Sequence, residues 1–151
     1  MIKVNKKMEP FIYNQSNLSK EREQIDNIVT EIVNNTQHIG DCFIYEKDKL
    51  IEIDFNKIWK LYKDRTSYEV SCNEFIYEKN ITVNLYIEFG RVLRNKLERK
   101  FNQKFVVYIM LNEKTDPFFE IRFHANRIKE GEIFWLEDNL DNYDVPIAIL
   151  Y

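Results

Sequence analysis

The sequence predicts an α+β domain, an antiparallel-rich sheet packed against helices in two layers and folded as a single unit over residues 1–151. Three observations predict it. Two long segments, near residues 19–35 and 82–100, place apolar residues at helical spacing. Two runs rich in β-branched and aromatic residues, "KFVVYIMLN" and "FFEIRFHA", flank a turn sequence. The order of elements, α-β-β-α-β-α-β-β-α-β, has no internal repeat and no low-complexity tract. With 44% hydrophobic and 15% aromatic residues among 151, the chain holds ample material for one core, and three Gly and three Pro leave little room for linkers.

Residues 1–16 are expected to be an irregular N-terminal segment. They begin basic but lack the uninterrupted apolar stretch of a secretory signal, and no window approaches a membrane span, so a cytoplasmic location is expected. From Ser19 to Asn35, Ile25, Ile28, Val29, Ile32 and Val33 predict an amphipathic helix with Ser19 as its cap and Glu21 and Glu23 at its positive end. "NNTQHIGD" ends it. "CFIYEKDKLIEID" reads as a β-hairpin around Glu46–Lys49. Asp54 then caps a short helix in which Phe55, Ile58, Trp59 and Tyr62 share a face, with Trp59 toward the core.

"SYEVSCNEFIYEKN" alternates at Tyr68, Val70 and Cys72 and suggests a strand with a bulge or turn near Phe75. The segment 81–101 fits period two in its first half and a helix in its second. A helix from Thr82 to Lys100 is favoured, although Gly90 in its middle costs about 1 kcal/mol relative to Ala. The two best strands follow, joined through Asp116-Pro117 as a hairpin at the centre of the sheet. A short helix around Phe134–Leu140 and a final strand "PIAIL", opened by Pro146, close the chain.

Charge narrows the function. The net charge of −3 and pI of about 5.5 argue against direct nucleic-acid binding as the main task and favour a basic or neutral partner. The charge is segregated. Arg91, Arg94, Lys96, Arg99, Lys100 and Lys104 face one acid, Glu98, whereas Glu130, Glu132, Glu137, Asp138, Asp141 and Asp144 occur with no Lys or Arg between them. The blocks either pair with each other or face water, or the acidic block, with Trp135 and Tyr143 as aromatic anchors, docks on a basic protein; the alternative for Trp135 and Tyr143 is a place in the core of the last helix and turn.

Cys42 and Cys72 lie thirty residues apart without a Cys-x-x-Cys pair and read as free core thiols of a reducing compartment. His38 and His124 lack ligand spacing, and neither a Gly-rich phosphate loop nor a serine elbow is present, so no metal and no cofactor is expected. The enzymatic alternative is a small nuclease or phosphotransferase in which His124 acts as acid or base beside Arg122 and Arg127, since 122 and 124 share a strand face. The plainer alternative for the same residues is the polar face of an amphipathic strand backed by Phe119, Ile121 and Phe123.

The C-terminal stretch "IRFHANRIKEGEIFWLEDNLDNYDVPIAILY" resembles the tail of the small immunity proteins that accompany bacterial polymorphic and contact-dependent growth-inhibition toxins. The likeness covers about a third of the chain and rests on a strand followed by Trp135, Leu136, Leu140, Tyr143 and Pro146 in W-L-x3-L-x2-Y-x2-P spacing. It implies a non-enzymatic cytoplasmic inhibitor of a cognate toxin domain, frequently a basic nuclease. The expected contact residues are Glu130, Glu132, Trp135, Glu137, Asp138, Asp141, Tyr143 and Asp144. A phage- or plasmid-borne inhibitor of a host enzyme would share this acidic surface.

Overall fold

The computed structural model describes residues 1–12, 19–46, 54–62, 64–78, 86–112, 118–132, 135–136 and 139–151. In chain order they form β1 (Ile2–Val4), α1 (Glu9–Ile12), α2 (Ser19–Asn35), β2 (Thr36–Ile39), β3 (Cys42–Tyr45), α3 (Phe55–Leu61), α4 (Arg65–Cys72), β4 (Glu74–Glu78), α5 (Tyr86–Phe101), β5 (Phe105–Asn112), β6 (Phe118–Ala125) and β7 (Ile147–Leu150). Five strands form an antiparallel sheet in the order β1-β7-β5-β6-β4, and β2 and β3 form a separate hairpin. The chain is an α+β domain, as its periodicities predict.

The predicted β5–β6 hairpin is present, with β5 as the central strand and Tyr108 opposite Arg122. Alternation along these strands gives the sheet two different faces. One carries Val107, Ile109, Phe119, Ile121 and Phe123 and is covered by α2 and α5, which bury Ile25, Val29 and Ile32 and Phe89, Leu93 and Leu97 respectively. Gly90 belongs to this packing. A Cβ there would stand 2.8 Å from Ile109 Cδ1 and 2.9 Å from Leu150 Cδ1, so the missing side chain lets α5 approach the sheet. The other face carries Val106, Tyr108, Ile147 and Ile149 and is covered by Trp135, Leu136, Leu140, Tyr143 and Val145, from a largely irregular segment. Of the short helix expected around Phe134–Leu140, residues 133, 134, 137 and 138 lie outside the described residues, 135–136 form a bend, and a single 3₁₀ turn spans Leu140–Asn142.

Several expectations are corrected. Of the N-terminal segment, residues 13–16 lie outside the described residues, and residues 1–12 are not irregular: β1 pairs with β7, Ile2 opposite Leu150, and α1 follows. Asn5, 2% exposed, ties it down by donating to the carbonyls of Val145 (2.8 Å) and Leu140 (3.3 Å) and accepting from the amides of Met8 and Ile147. A three-residue strand is too short to show a period of its own. β3 pairs backward with β2 across the Gly40-Asp41 turn, where Gly40 takes φ +58°. Residues 47–53, the predicted partner, lie outside the described residues.

Tyr68, Val70 and Cys72, expected to alternate along a strand, lie instead on α4. Asp64 caps it, accepting from the Ser67 amide at 2.7 Å, and its buried face is Thr66, Glu69 and Val70. Two of those three residues are polar, so the helical period is invisible to a hydrophobicity count. α3 forms with Asp54 as its cap, as predicted, but it lies on the surface with no fully buried residue, and Trp59 is 41% exposed rather than in the core. α5 runs Tyr86–Phe101, and residues 81–85, the ambiguous part of that prediction, lie outside the described residues.

Candidate functional site

His124 sits on β6 on the same face as Arg122, as alternation requires, and is 1% exposed. Its Nδ1 donates to the Ala125 carbonyl (2.7 Å), which leaves Nε2 to accept from the Tyr108 hydroxyl (2.8 Å); that hydroxyl in turn accepts from the Trp135 amide (3.0 Å). Burial lowers the imidazole pKa to about 4 and raises that of the Tyr108 phenol. The imidazole is thus neutral, with both nitrogens engaged inside the protein.

The two guanidiniums are committed elsewhere. Arg122 pairs with Glu74 and Glu120 and lies 4.8 Å over the Trp135 ring. Arg127, 4% exposed, pairs with fully buried Glu69 at 2.5 Å and donates to the Asp41 carbonyl (2.7 Å). Glu69 also accepts from the amides of Phe43 and Ala125, both at 2.7 Å. Burial raises the Glu69 pKa, opposed by Arg127 and these amides. The pair fastens α4, the β2–β3 hairpin and the end of β6 to one another. Asn73 reinforces it, bridging the Phe43 and Phe123 carbonyls and the Tyr45 amide.

The acidic and basic blocks do not zip together among the described residues. On α5, Lys96 pairs with Asp26 (2.6 Å), Lys100 caps the end of α2 through the carbonyls of Val33 (2.7 Å) and Thr36 (2.8 Å), and Arg94 donates to the Tyr151 carbonyl; beyond its end, Lys104 pairs back with Glu98. The described members of the acidic block split instead into two pairs. Asp141 and Asp144 meet Lys6 and Lys7, two charges against two. Glu130 and Glu132 both pair with Arg65 at 2.5 Å, and Glu132 also accepts from the Thr66 amide and hydroxyl, so its pKa is held down despite burial. Glu137 and Asp138 lie outside the described residues. Trp135 and Tyr143, weighed as outward anchors or as core residues, are half-buried against the second core.

The Glu132 pair opens on a surface that sequence reasoning missed. A groove of about 310 Å³ is lined by Asp41, Trp59, Asp64, Arg65 and Glu132. Each wall is held in place. The Gly40-Asp41 turn lies against the Phe55 ring, 2.7 Å from where a Gly40 Cβ would stand, and the α4 cap presents Asp64. Trp59 is backed by Phe55, stacked at 5.7 Å, and by the edge of Tyr68 at 6.3 Å. Arg65, paired with Glu132 and Glu130, is the one guanidinium among the groove's lining carboxylates. Asp41 and Asp64 look like turn and cap residues in one dimension, and only the exposure of Trp59 marks the place.

Among the described residues, no group of His, Cys, Asp and Glu side chains is arranged to hold a metal ion, and no helix is long and apolar enough to cross a membrane. Cys42 and Cys72 are free, and burial pushes the Cys42 thiol up to about 12. A family model described as the Uncharacterized protein PM0498 family matches residues 3–151. The chain belongs to that family. No curated protein and no solved structure matches it.

Proposed function

We propose that this protein is a non-catalytic cytoplasmic binding protein that neutralises a basic protein partner, in the manner of an immunity protein acting on a toxin domain. The observation that carries the proposal is the surface on which Asp41, Asp64 and Glu132 come together with Arg65 as the one lining cation, itself paired with Glu130 and Glu132. Fixed carboxylates of one sign steer a cationic partner and select against acidic ones. The inaccessibility of His124 supports binding over acid–base chemistry.

The test is co-expression with the product of the adjacent gene, followed by calorimetry at two salt concentrations. The expected result is a 1:1 complex with Kd on the order of nanomolar or tighter that weakens as salt rises. Glu130→Gln, at an exposed site, should weaken it without unfolding the protein. Absence of binding at low salt, or substrate turnover by the isolated chain, would overturn the reading.

A further inference from the structure

We infer that the groove beside Trp59 is a slot for an arginine side chain presented by a basic protein partner, with the indole stacking on the guanidinium and Asp41 and Asp64 accepting its N–H groups. This rests on the binding reading above and names the contact that the partner makes.

Three features converge. First, Trp59 is 41% exposed and its ring is already braced by Phe55 and Tyr68, so little side-chain freedom is lost when a partner covers it. Second, the groove's acids are in surplus. Its one lining cation, Arg65, already has both Glu130 and Glu132, which leaves Asp41 and Asp64 without a basic side chain in an ion pair among the described residues. Third, the carboxylates are carried by a tight turn and a helix cap rather than by mobile side chains of a long loop, and the Glu69–Arg127 pair fixes both elements to the sheet.

A planar guanidinium satisfies an aromatic face and flanking carboxylates together. An ammonium acts as a point charge and uses the ring less well. An open groove of about 310 Å³ has the size to take one such side chain.

The test isolates the indole. In a Trp135→Phe background, Trp59 is the only tryptophan, and its emission is followed during titration with hexa-arginine, hexa-lysine and hexa-citrulline peptides at low salt. Hexa-arginine should shift the emission saturably, bind about tenfold more tightly than hexa-lysine, and outcompete citrulline entirely. Asp41→Asn with Asp64→Asn, in which Asn preserves the helix cap, should weaken it about tenfold with an unchanged circular dichroism melt.

An unresponsive Trp59, equal binding of the two cationic peptides, or indifference to the double substitution would overturn the assignment. If the adjacent-gene product binds but Trp59→Ala and Asp41→Asn leave its Kd unchanged, the slot is wrong and the neutraliser reading stands. If hexa-arginine docks on Trp59 while no protein partner binds, the slot stands and the neutraliser reading fails.

Discussion

The two tryptophans of this chain occupy opposite kinds of place. Trp135 lies among acids in sequence, yet its amide donates to the Tyr108 hydroxyl, its ring meets Tyr108 edge-on at 5.5 Å, and Arg122 covers its face. Trp59 lies in a helical pattern that promises burial, yet it stands on a surface helix at the rim of an anionic groove. The difference teaches that exposure is decided by which surface lacks a cover. The second face of the sheet, with Tyr108, Ile147 and Ile149, needs one and recruits the Trp135 segment, whereas α3 packs beside the hairpin and covers nothing comparable.

The comparison depends first on the clamp that holds the Trp59 side to the sheet. Glu69→Gln leaves the Arg127 guanidinium buried without its counter-charge and should cost about 3–5 kcal/mol in urea denaturation, loosening the turn that carries Asp41. An effect below about 1 kcal/mol would mean the groove is not fixed from behind.

The Trp135 side has its own signature, in pH. His124 is neutral in the folded protein down to about pH 4, against an ordinary value near 6.5 in the unfolded chain. Its folded pKa is depressed, so the unfolded state binds the extra proton. Stability is full above about 6.5 and falls as pH drops toward 4, by up to about 3 kcal/mol. The raised Glu69 pKa opposes this at low pH, so the measurement is the difference between wild type and His124→Gln, whose stability should depend less on pH in that window.

Smaller effects sharpen the contrast. Trp135→Ala should cost about 2–3 kcal/mol, less than a fully buried indole because its ring is only half-buried. On the helix-covered face, Gly90→Ala should destabilise by about 1–2 kcal/mol even though Ala favours a helix, since the new methyl meets Ile109 and Leu150. Trp59→Ala should change stability least, by under about 1 kcal/mol, while weakening hexa-arginine binding followed by calorimetry. Equal costs for the two Trp→Ala substitutions would erase the distinction on which the groove rests.

Much of the frame was legible in one dimension. α2, the second half of α5, β5, β6 and β7 follow from apolar periodicity because each buries a continuous apolar stripe, and α3 follows from Asp54 and its four aligned apolar residues. α4 was not legible, because Glu69 and Thr66 occupy its buried positions and their partners, Arg127 and Glu132, lie 58 and 66 residues away. The groove was hidden for the same reason. Asp41, Trp59, Asp64 and Glu132 belong to a turn, a helix, a cap and a loop whose adjacency no local pattern encodes.

The sequence by itself determined the fold class, the two long helices, the central hairpin and the separation of charge into blocks, since these follow from short-range periodicity and composition. Tertiary structure alone decided that Lys96, Lys100 and Arg94 of the basic helix would engage α2 and Tyr151, that Asp141 and Asp144 would be neutralised by Lys6 and Lys7, and that Glu132 would lie with Asp41 and Asp64 beside Trp59. The physical reason is that an ion pair or a covered ring depends on distances of a few ångströms between residues far apart in the chain, and those distances exist only once the sheet has chosen what covers each of its faces.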